Sequence, residues 1–202
     1  VANVKSINDK GQTVVQSDRL MYSEINRFDT FPPTNFIDIG VNDGEDFVKI
    51  ESYADRLLAY KNRTLYVINV GGGSDTQWFL ESEHKNMGVD FHAAVVKTDF
   101  GVAWVNKNGL FFYDGSQIRN LQSKVLESEW TSFVNDDTII GYEPTHKHLV
   151  IVRDAAASGG TSGDAYVYSF ITNSFTFVED MVDNAVKTNI ITDLHNNMTL
   201  GL

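Results

Sequence analysis

Two histidines separated by a single residue, His146 and His148, have the spacing that most directly suggests metal binding in this sequence. Side chains two residues apart share a face of a β-strand, but this pair brackets a predicted turn. A zinc site needs three or four ligands, and no third ligand lies nearby in the sequence. His84, His92 and His195 are isolated, and we expect them on the surface or in hairpins. The histidine pattern therefore predicts no metal site.

Two acidic segments, residues 42–46 and 135–137, offer carboxylates to a cation. Neither has the ligand spacing of a calcium loop, and Asp, Asn and Gly are the usual residues of turns. Cleavage of a glycosidic bond needs two carboxyl groups that face each other across a cleft, and these segments lie in loops of different predicted units. Calcium binding and glycan binding stay open, while no residue stands out as catalytic.

Two glycine-rich segments, residues 71–74 and 159–163, have the composition of phosphate-binding loops. Both lack the lysine and the following helix that phosphate binding requires, so we predict turns there. No serine has the surroundings of a nucleophile elbow. Asn62 and Asn197 begin formal N-glycosylation sequons just before leucine-centred strands, and the turn preference of asparagine explains both. We therefore predict a protein that is not an enzyme and that uses no cofactor.

The composition is that of a folded, acidic protein without cysteine. Of its 202 residues, 42% are hydrophobic and 21% are charged, which fits one large β-domain or two small ones. The net charge of −11 disfavours a broad nucleic-acid-binding surface, because such a surface needs clustered Lys and Arg. No apolar run is long enough for a transmembrane helix, so no membrane insertion is predicted. The absence of cysteine suits a reducing cytoplasm.

Five short apolar strands centred on leucine recur at nearly fixed intervals. The leucines stand at positions 20, 65, 110, 149 and 200, in steps of 45, 45, 39 and 51 residues. A repeat of about 40 to 50 residues built from strands is typical of propeller blades. We predict an all-β, β-propeller-like fold of repeated four-stranded antiparallel blades. Leu20, Leu65, Leu110 and Leu149 should be buried in equivalent strands.

Turn signals divide the chain into blade units of a single β-propeller-like domain, residues 1–202. Lys-Asn turns between apolar runs predict the hairpins. The chain starts at Val1 and stops inside the fifth unit, so we expect a processing cut or a longer product. An open blade edge invites pairing, so strands outside these residues should complete the sheet. The units are approximately 13–40, 47–84, 93–122, 138–180 and a partial unit at 189–202.

Three segments depart from the strand pattern. Residues 28–35 carry a Pro-Pro pair, which favours an extended, exposed connection. Residues 155–163 are small and rich in glycine, which predicts a flexible loop. Residues 124–133 place apolar side chains at helical spacing and predict one short helix.

Several segments carry a resemblance to a known class of protein. They are residues 18–24, 28, 31–32, 35–40, 55–57, 60–61, 163–168 and 174–175. Together they resemble the propeller-like domains of bacteriophage virion proteins, which include tail hub, nozzle and stabilisation components near the portal. The resemblance covers roughly residues 13 to 180, and its motifs are structural.

The resemblance implies a structural component of a bacteriophage tail or neck that is not an enzyme. Such a protein forms a homo-oligomeric ring and binds neighbouring tail, neck or portal proteins. It belongs to the virion and is assembled in the host cytoplasm. DNA passes nearby without specific binding, and an acidic wall would let it pass without adhering.

Two other functions compete with this one. The first is a carbohydrate-binding or glycan-cleaving propeller, in which exposed Trp78, Trp104 or Trp130 would stack on sugar rings. If these tryptophans are buried instead, they pack in the core. The second is a cellular protein-interaction propeller.

Overall fold

A computed structural model describes residues 1–24, 26–72, 78–122, 125, 127–154, 163–182 and 189–201. Predicted features on residues 73–74, 77, 124, 126, 155–162 and 202 lie outside these ranges. Within them the protein is all-β apart from short helical segments. The chain divides into two compact units, Val1–Gly88 and Val89–Leu202. Their boundary falls between the second and third predicted blade units.

The first unit contains two small sheets and one four-stranded sheet. Its strands are β1 Val4–Ile7, β2 Thr13–Gln16, β3 Arg19–Met21, β4 Phe36–Asp38, β5 Phe47–Tyr53, β6 Arg56–Lys61, β7 Thr64–Asn69 and β8 Phe79–Lys85. Strand β1 pairs with β2, β3 pairs with β4, and β5 to β8 pair in sequence order, all antiparallel. The β5–β8 sheet is therefore a meander.

The second unit contains two four-stranded meanders and one two-stranded sheet. Its elements are a 3-10 turn His92–Ala94, β9 Val95–Thr98, β10 Gly101–Asn106, β11 Gly109–Tyr113, β12 Ile118–Asn120, α1 Glu127–Phe133, β13 Ile139–Glu143, β14 His148–Val152, β15 Ala165–Ser169, β16 Ser174–Val178, β17 Asn189–Thr192 and β18 Met198–Gly201. The meanders are β9–β12 and β13–β16, and β17 pairs with β18.

Three of the five predicted units coincide with four-stranded antiparallel sheets. Units 47–84, 93–122 and 138–180 correspond to the β5–β8, β9–β12 and β13–β16 meanders. Unit 13–40 does not form one sheet, because β2 pairs with β1 while β3 pairs with β4. Unit 189–202 forms the two-stranded β17–β18 sheet in the described part of the chain. The single propeller-like domain stays a prediction.

The leucine repeat predicted burial correctly and strand equivalence incorrectly. Leu20, Leu65, Leu110 and Leu149 are all buried. Leu65 and Leu110 lie on third strands, β7 and β11, whereas Leu149 lies on a second strand, β14. Leu20 lies in the two-stranded β3–β4 sheet. The second and third strands of a meander are both central, so each favours leucine and the repeat cannot distinguish them.

The core of the first unit lies between the β3–β4 sheet and one face of the β5–β8 meander. Leu20 and Ile39 pack against Ala59, Tyr66 and Ile68 in a buried cluster. Ala59 and Tyr66 are cross-strand partners, and Ile68 lies two residues farther along β7. Side chains at these spacings share one face of a pleated sheet. Apolar residues at every second position of β6 and β7 therefore build this core.

In the second unit the β13–β16 meander is covered on both faces. Ile139 and Val150 on one face pack with Ile190 of the β17–β18 sheet. On the other face, the rings of Tyr142 and Phe112 both contact the ring of Phe170. The first strands also meet in turn, since β9 contacts β13 and β13 contacts β17. Successive sheets of this unit therefore pack face to face.

The predicted helix is confirmed as α1, which begins at Glu127 and ends at Phe133. Helices this short are unstable alone, so tertiary packing must hold this one. Trp130 and Phe133, one turn apart, are both buried against the ring of Tyr166 on β15. The Trp130 indole N–H donates to the Asn106 carbonyl oxygen at 3.0 Å. The helix therefore ties the β10–β11 hairpin to the following meander.

A glycine sets the distance between the β13–β16 meander and the β17–β18 sheet. A Cβ atom at Gly141 would lie 2.3 Å from Cγ2 and 2.7 Å from Cβ of Ile190. Gly141→Ala is expected to lower the free energy of unfolding by about 1–3 kcal/mol, because the sheets must separate. Adding Ile190→Ala should recover part of this loss, and urea unfolding of the four proteins in the cycle measures the coupling. If the two substitutions lower the free energy of unfolding additively, the contact between Gly141 and Ile190 is contradicted.

The turn between β11 and β12 is held by the carboxylate of Asp114. Asp114 Oδ1 accepts the backbone N–H groups of Ser116 (2.9 Å) and Gln117 (3.0 Å). These hydrogen bonds, with a smaller contribution from Arg119, lower the pKa of Asp114 from 3.8 to about 2. Because the folded pKa lies below the unfolded one, this stabilisation is present above pH 3.8 and is lost as the pH falls toward 2.

Asp114→Asn is expected to retain the turn, since an amide oxygen accepts the same two hydrogen bonds. It should abolish the pH-dependent stabilisation that the ionised carboxylate contributes. The wild-type protein should be the more stable at neutral pH, and the difference should shrink as the pH falls through the same interval. Thermal unfolding of both proteins across the acid range measures it. A difference that is constant with pH would show that the charge of Asp114 is not what stabilises the turn.

Candidate functional site

Asp43 of the acidic segment 42–46, together with Asp18, binds a cation supplied by the chain itself. The ammonium of Lys61, whose side chain is fully buried, lies 2.9 Å from both Asp43 oxygens and 3.0 Å from Asp18 Oδ1. The Gly40 carbonyl oxygen accepts a longer hydrogen bond of 3.4 Å, and the Phe47 ring lies 4.9 Å away. The Lys61 ammonium therefore occupies the place where a bound cation would otherwise be expected.

Hydrogen bonds fix the carboxylates around this ammonium. The Asn42 backbone N–H donates to Asp18 Oδ2 at 2.8 Å and, together with the Lys61 ammonium, lowers the pKa of Asp18. The Tyr66 hydroxyl donates to Asp43 at 3.3 Å, and burial with the nearby negative charge raises the pKa of Tyr66 to about 12. Because the Asp18 carboxylate stays ionised and the Tyr66 phenol stays neutral at pH 7, each of these two groups keeps its hydrogen-bonding role.

A polar cleft of about 320 Å³ opens beside this cluster in the first unit. Glu45 is buried and paired with Arg63, whose side chain is 75% exposed. Glu83, on β8, is exposed. The cleft is lined by Asp43, Glu45, Arg63, Thr64, Tyr66, Glu83, Lys85 and Asn86. Carboxylate, cationic, hydroxyl and amide groups together suit a polar, neutral or zwitterionic ligand.

The structure brings together carboxylates that the sequence did not link. Asp43 and Glu45 precede β5, and Glu45 reaches Arg63 in the β6–β7 turn. Glu83 on β8 is the cross-strand partner of Tyr66 on β7, so all three carboxylates line one cleft. The acidic residues at 135–137 are used differently: Asp136 forms an exposed ion pair with Lys107 at 3.0 Å. Asn135 Oδ1 accepts the Asp137 N–H at 3.0 Å, which is the turn chemistry predicted for that segment.

The histidine pair lies at the turn between β13 and β14. The rings of His146 and His148 stack at 5.7 Å, and His146 Nδ1 lies 3.0 Å from Glu143 Oε2. Among the described residues, no three His, Asp or Glu side chains form a metal-binding group. His92 and His195 are exposed, and His84, partly buried, contacts the Ser82 hydroxyl at 2.9 Å.

The three tryptophans differ sharply in exposure. Trp104 and Trp130 are buried, at 0% and 1% exposed, so they pack in the core and cannot stack on a sugar. Trp78 is partly exposed, and its ring lies 4.5 Å from the ring of Tyr22. The expectation of sugar stacking therefore fails for two of the three and remains only for Trp78.

Trp78 stands at the rim of a largely apolar pocket of about 300 Å³ in the first unit. Ile50, Leu57 and Ile68 of the β5–β8 meander form one wall. Leu20 and Ile37 of the β3–β4 sheet form the other. Phe31 and Tyr22 complete the aromatic rim beside Trp78. The pocket thus lies between the two sheets that form the core of this unit.

The connection from β3 to β4 is exposed, as predicted, but it is folded rather than extended. The Tyr22 N–H donates to the Asn35 carbonyl, and the Glu24 N–H donates to the Thr30 carbonyl, both at 3.1 Å. These bonds hold a compact loop whose tip presents Phe28 with 87% of its surface exposed.

The remaining candidates are ordinary surface features. The Gly71 N–H donates to Asn69 Oδ1 at 3.1 Å in a turn, as predicted for the described part of segment 71–74. Asn62 and Asn197, the first residues of the two sequons, are exposed. Within the described ranges, no helix has the length and apolar character needed to cross a membrane.

Compared with known proteins, the chain matches no family model and no curated protein.

Proposed function

We propose that this protein is a structural component of a bacteriophage tail or neck and has no enzymatic activity. It serves as a β-propeller-like scaffold or adaptor that forms a homo-oligomeric ring and binds neighbouring virion proteins. It is part of the virion and is assembled in the host cytoplasm. DNA passes nearby without specific contacts, in keeping with a net charge of −11.

The observation that carries this proposal is the succession of meander sheets. In a propeller, four-stranded sheets repeat radially about a central channel, so the corresponding strands of successive blades meet near that channel. In the second unit, β9, β13 and β17 each begin a sheet and contact one another in turn. This arrangement supports a propeller-like array, and the resemblance to phage virion domains supports the role.

Mass spectrometry of purified virions tests the role directly. Peptides of this protein should be found in particles purified through a density gradient, in constant ratio to the major tail proteins. Abundant host proteins in the same fraction serve as the control for contamination. Particles that contain capsid and tail proteins but lack this chain would remove the proposal.

A glycan-binding or glycan-cleaving propeller is the second candidate, and the polar cleft favours it. Glu45 and Glu83 lie in one cleft with Tyr66 and Asn86, a mixture that suits hydroxyl groups. A glycan array with a hydrolysis assay decides this candidate. Binding that is lost in Glu83→Gln but retained in Glu129→Gln, an exposed residue of α1, would support it. If the wild-type protein also hydrolyses the glycan, and Glu83→Gln abolishes this hydrolysis while Glu129→Gln does not, the protein is an enzyme.

A further inference from the structure

Asparagine or aspartate precedes glycine at three places in the chain: Asp43–Gly44, Asn108–Gly109 and Asp114–Gly115. Glycine has no Cβ atom, so its backbone nitrogen can approach the side chain of the residue before it with little steric hindrance. Attack of this nitrogen on the side-chain carbonyl carbon closes a succinimide ring. Each pair is therefore a candidate site of spontaneous chemical change, and its surroundings decide whether it reacts.

The two aspartates are held by contacts that ring closure would break. Asp43 places both oxygens 2.9 Å from the buried Lys61 ammonium, and ring closure would remove one of them. Asp114 accepts the N–H groups of Ser116 and Gln117, which hold its pKa at about 2. An ionised carboxylate is a poor electrophile, so Asp114 must gain a proton before it can react. Both aspartates should therefore react slowly.

Asn108 has neither of these obstacles. Its leaving group is ammonia, so the amide needs no prior protonation. It is exposed in the two-residue turn between β10 and β11. The Asn108 N–H donates to Asn106 Oδ1 at 2.8 Å, and Asn120 Nδ2 donates to the Asn108 carbonyl oxygen at 3.4 Å. Solvent therefore reaches Asn108, as both proton transfer and ring opening require.

Packing against β12 favours glycine at position 109. A Cβ atom there would lie 2.6 Å from Nδ2 and 2.7 Å from Oδ1 of Asn120. Gly109 also pairs with Asn106 at the closing position of the β10–β11 hairpin. Its nitrogen therefore reaches the Asn108 side chain when the turn opens. Exposed turns open at a lower free energy than core strands do, so this opening does not require the protein to unfold.

We propose that Asn108 deamidates spontaneously in the folded protein through a succinimide formed with Gly109. The Gly109 nitrogen bonds to Asn108 Cγ, the Cγ–Nδ2 bond breaks, and ammonia leaves with the proton that Gly109 loses. Water then opens the ring. Opening at Cγ gives aspartate, and opening at the main-chain carbonyl carbon gives isoaspartate, in which the chain runs through Cγ. The reaction needs no partner and does not depend on the proposed virion role.

Isoaspartate lengthens the main chain of this turn by a methylene group. Hairpin register depends on loop length, and β10 and β11 are paired from Asn106 and Gly109 at the turn to Val102 and Tyr113. The Asn106 carbonyl oxygen also accepts the Trp130 indole N–H at 3.0 Å. The lengthened turn should therefore disturb this contact and loosen α1. Aspartate adds the same charge and leaves the chain length unchanged.

Incubation of the wild-type protein at mildly alkaline pH, followed by proteolysis and mass spectrometry, tests the site. The peptide that contains Asn108 should gain the mass difference between an amide and an acid and separate into two isomers. The rate should rise with pH, because the attacking nitrogen must lose its proton. Asn62, an exposed turn residue followed by Arg63, is the internal control and should stay an amide. A sample digested without incubation corrects for changes during proteolysis.

Asn108→Gln is the matched variant, because its longer side chain would have to close a larger and less favourable ring. Its peptide should show no product over the same interval. Circular dichroism confirms that the incubated proteins are folded. If Asn108 stays an amide in the folded protein while a synthetic peptide of residues 104–112 reacts, the inference is overturned. Reaction of Asn62 at the same rate as Asn108 would also overturn it.

Asn108→Asp separates the effect of the longer chain from that of the new charge. Ion exchange isolates the modified wild-type protein, and hydrogen exchange then compares it with this variant. Amides of residues 127–133 should exchange faster in the modified protein than in Asn108→Asp, which should resemble the unmodified protein. Equal exchange in the modified protein and in Asn108→Asp would contradict the loosening of α1 by isoaspartate.

Discussion

Asp43→Ala is expected to cost about 3–5 kcal/mol of unfolding free energy, because it leaves a buried ammonium with too few partners. The Lys61 side chain is fully buried, and Asp43 supplies both oxygens at 2.9 Å. Asp43 also accepts hydrogen bonds from the Tyr66 hydroxyl and the Glu45 N–H. For a domain whose total stability is about 5–15 kcal/mol, this loss approaches unfolding. Urea titration followed by fluorescence measures it.

The matched control is Asp136→Ala, the same substitution in an exposed ion pair. Asp136 and Lys107 are 72% and 52% exposed, so this change should cost less than about 1 kcal/mol. Adding Lys61→Met to Asp43→Ala should recover stability, because it removes the buried ammonium that Asp43→Ala leaves with too few partners. If Asp43→Ala and Asp136→Ala cost the same, the Lys61 cluster contributes no more than a surface pair.

Trp130→Ala is expected to cost about 3–5 kcal/mol, the usual range for removing a buried aromatic side chain. Trp130 is 1% exposed, and its ring contacts those of Phe133, Tyr166 and Phe175. The change also leaves the Asn106 carbonyl without the indole N–H. Because α1 is too short to persist without tertiary contacts, it should lose its helical structure, which hydrogen exchange of residues 127–133 would report.

Trp130→Phe separates packing from the hydrogen bond. It keeps an aromatic ring in the cluster and loses the indole N–H, so it should cost less than half as much as Trp130→Ala. Ser132→Ala, on the exposed side of the same helix, should change stability by less than about 0.5 kcal/mol. Equal losses for Trp130→Phe and Trp130→Ala would assign the effect to the hydrogen bond rather than to packing.

Much of the secondary structure followed from local signals. The hairpin turns lie where the Lys-Asn pattern predicted them. Asn62–Arg63 connects β6, which ends at Lys61, to β7, and Lys107–Asn108 connects β10, which ends at Asn106, to β11. Trp130 and Phe133, three residues apart, predicted the buried side of α1. These features depend on neighbours within a few residues of each other, which a single sequence specifies through backbone preferences and apolar spacing.

The sites could not be predicted in the same way. Asp18, Asp43 and Lys61 are far apart in sequence, and no residue spacing links two carboxylates to a lysine at a strand end. The segment 42–46 looked like a solvated turn, yet Glu45 faces inward because Arg63 and the β6–β7 hairpin meet it. Phe31 and Trp78 share a pocket rim for the same reason. Long-range pairing of strands creates these neighbours.

By itself, the sequence determined an acidic, cysteine-free, all-β protein with repeated antiparallel strands and one short helix. Alternation and turn chemistry are local, and they suffice for strand identity and for the burial of Leu65, Leu110 and Leu149. Only the tertiary structure decided which strands share a sheet, as when β2 paired with β1 rather than β3. It also decided that Lys61 is buried and Phe28 exposed. The physical reason is that pairing and burial depend on the free energy of whole sheets packing together, to which distant segments contribute as much as near ones.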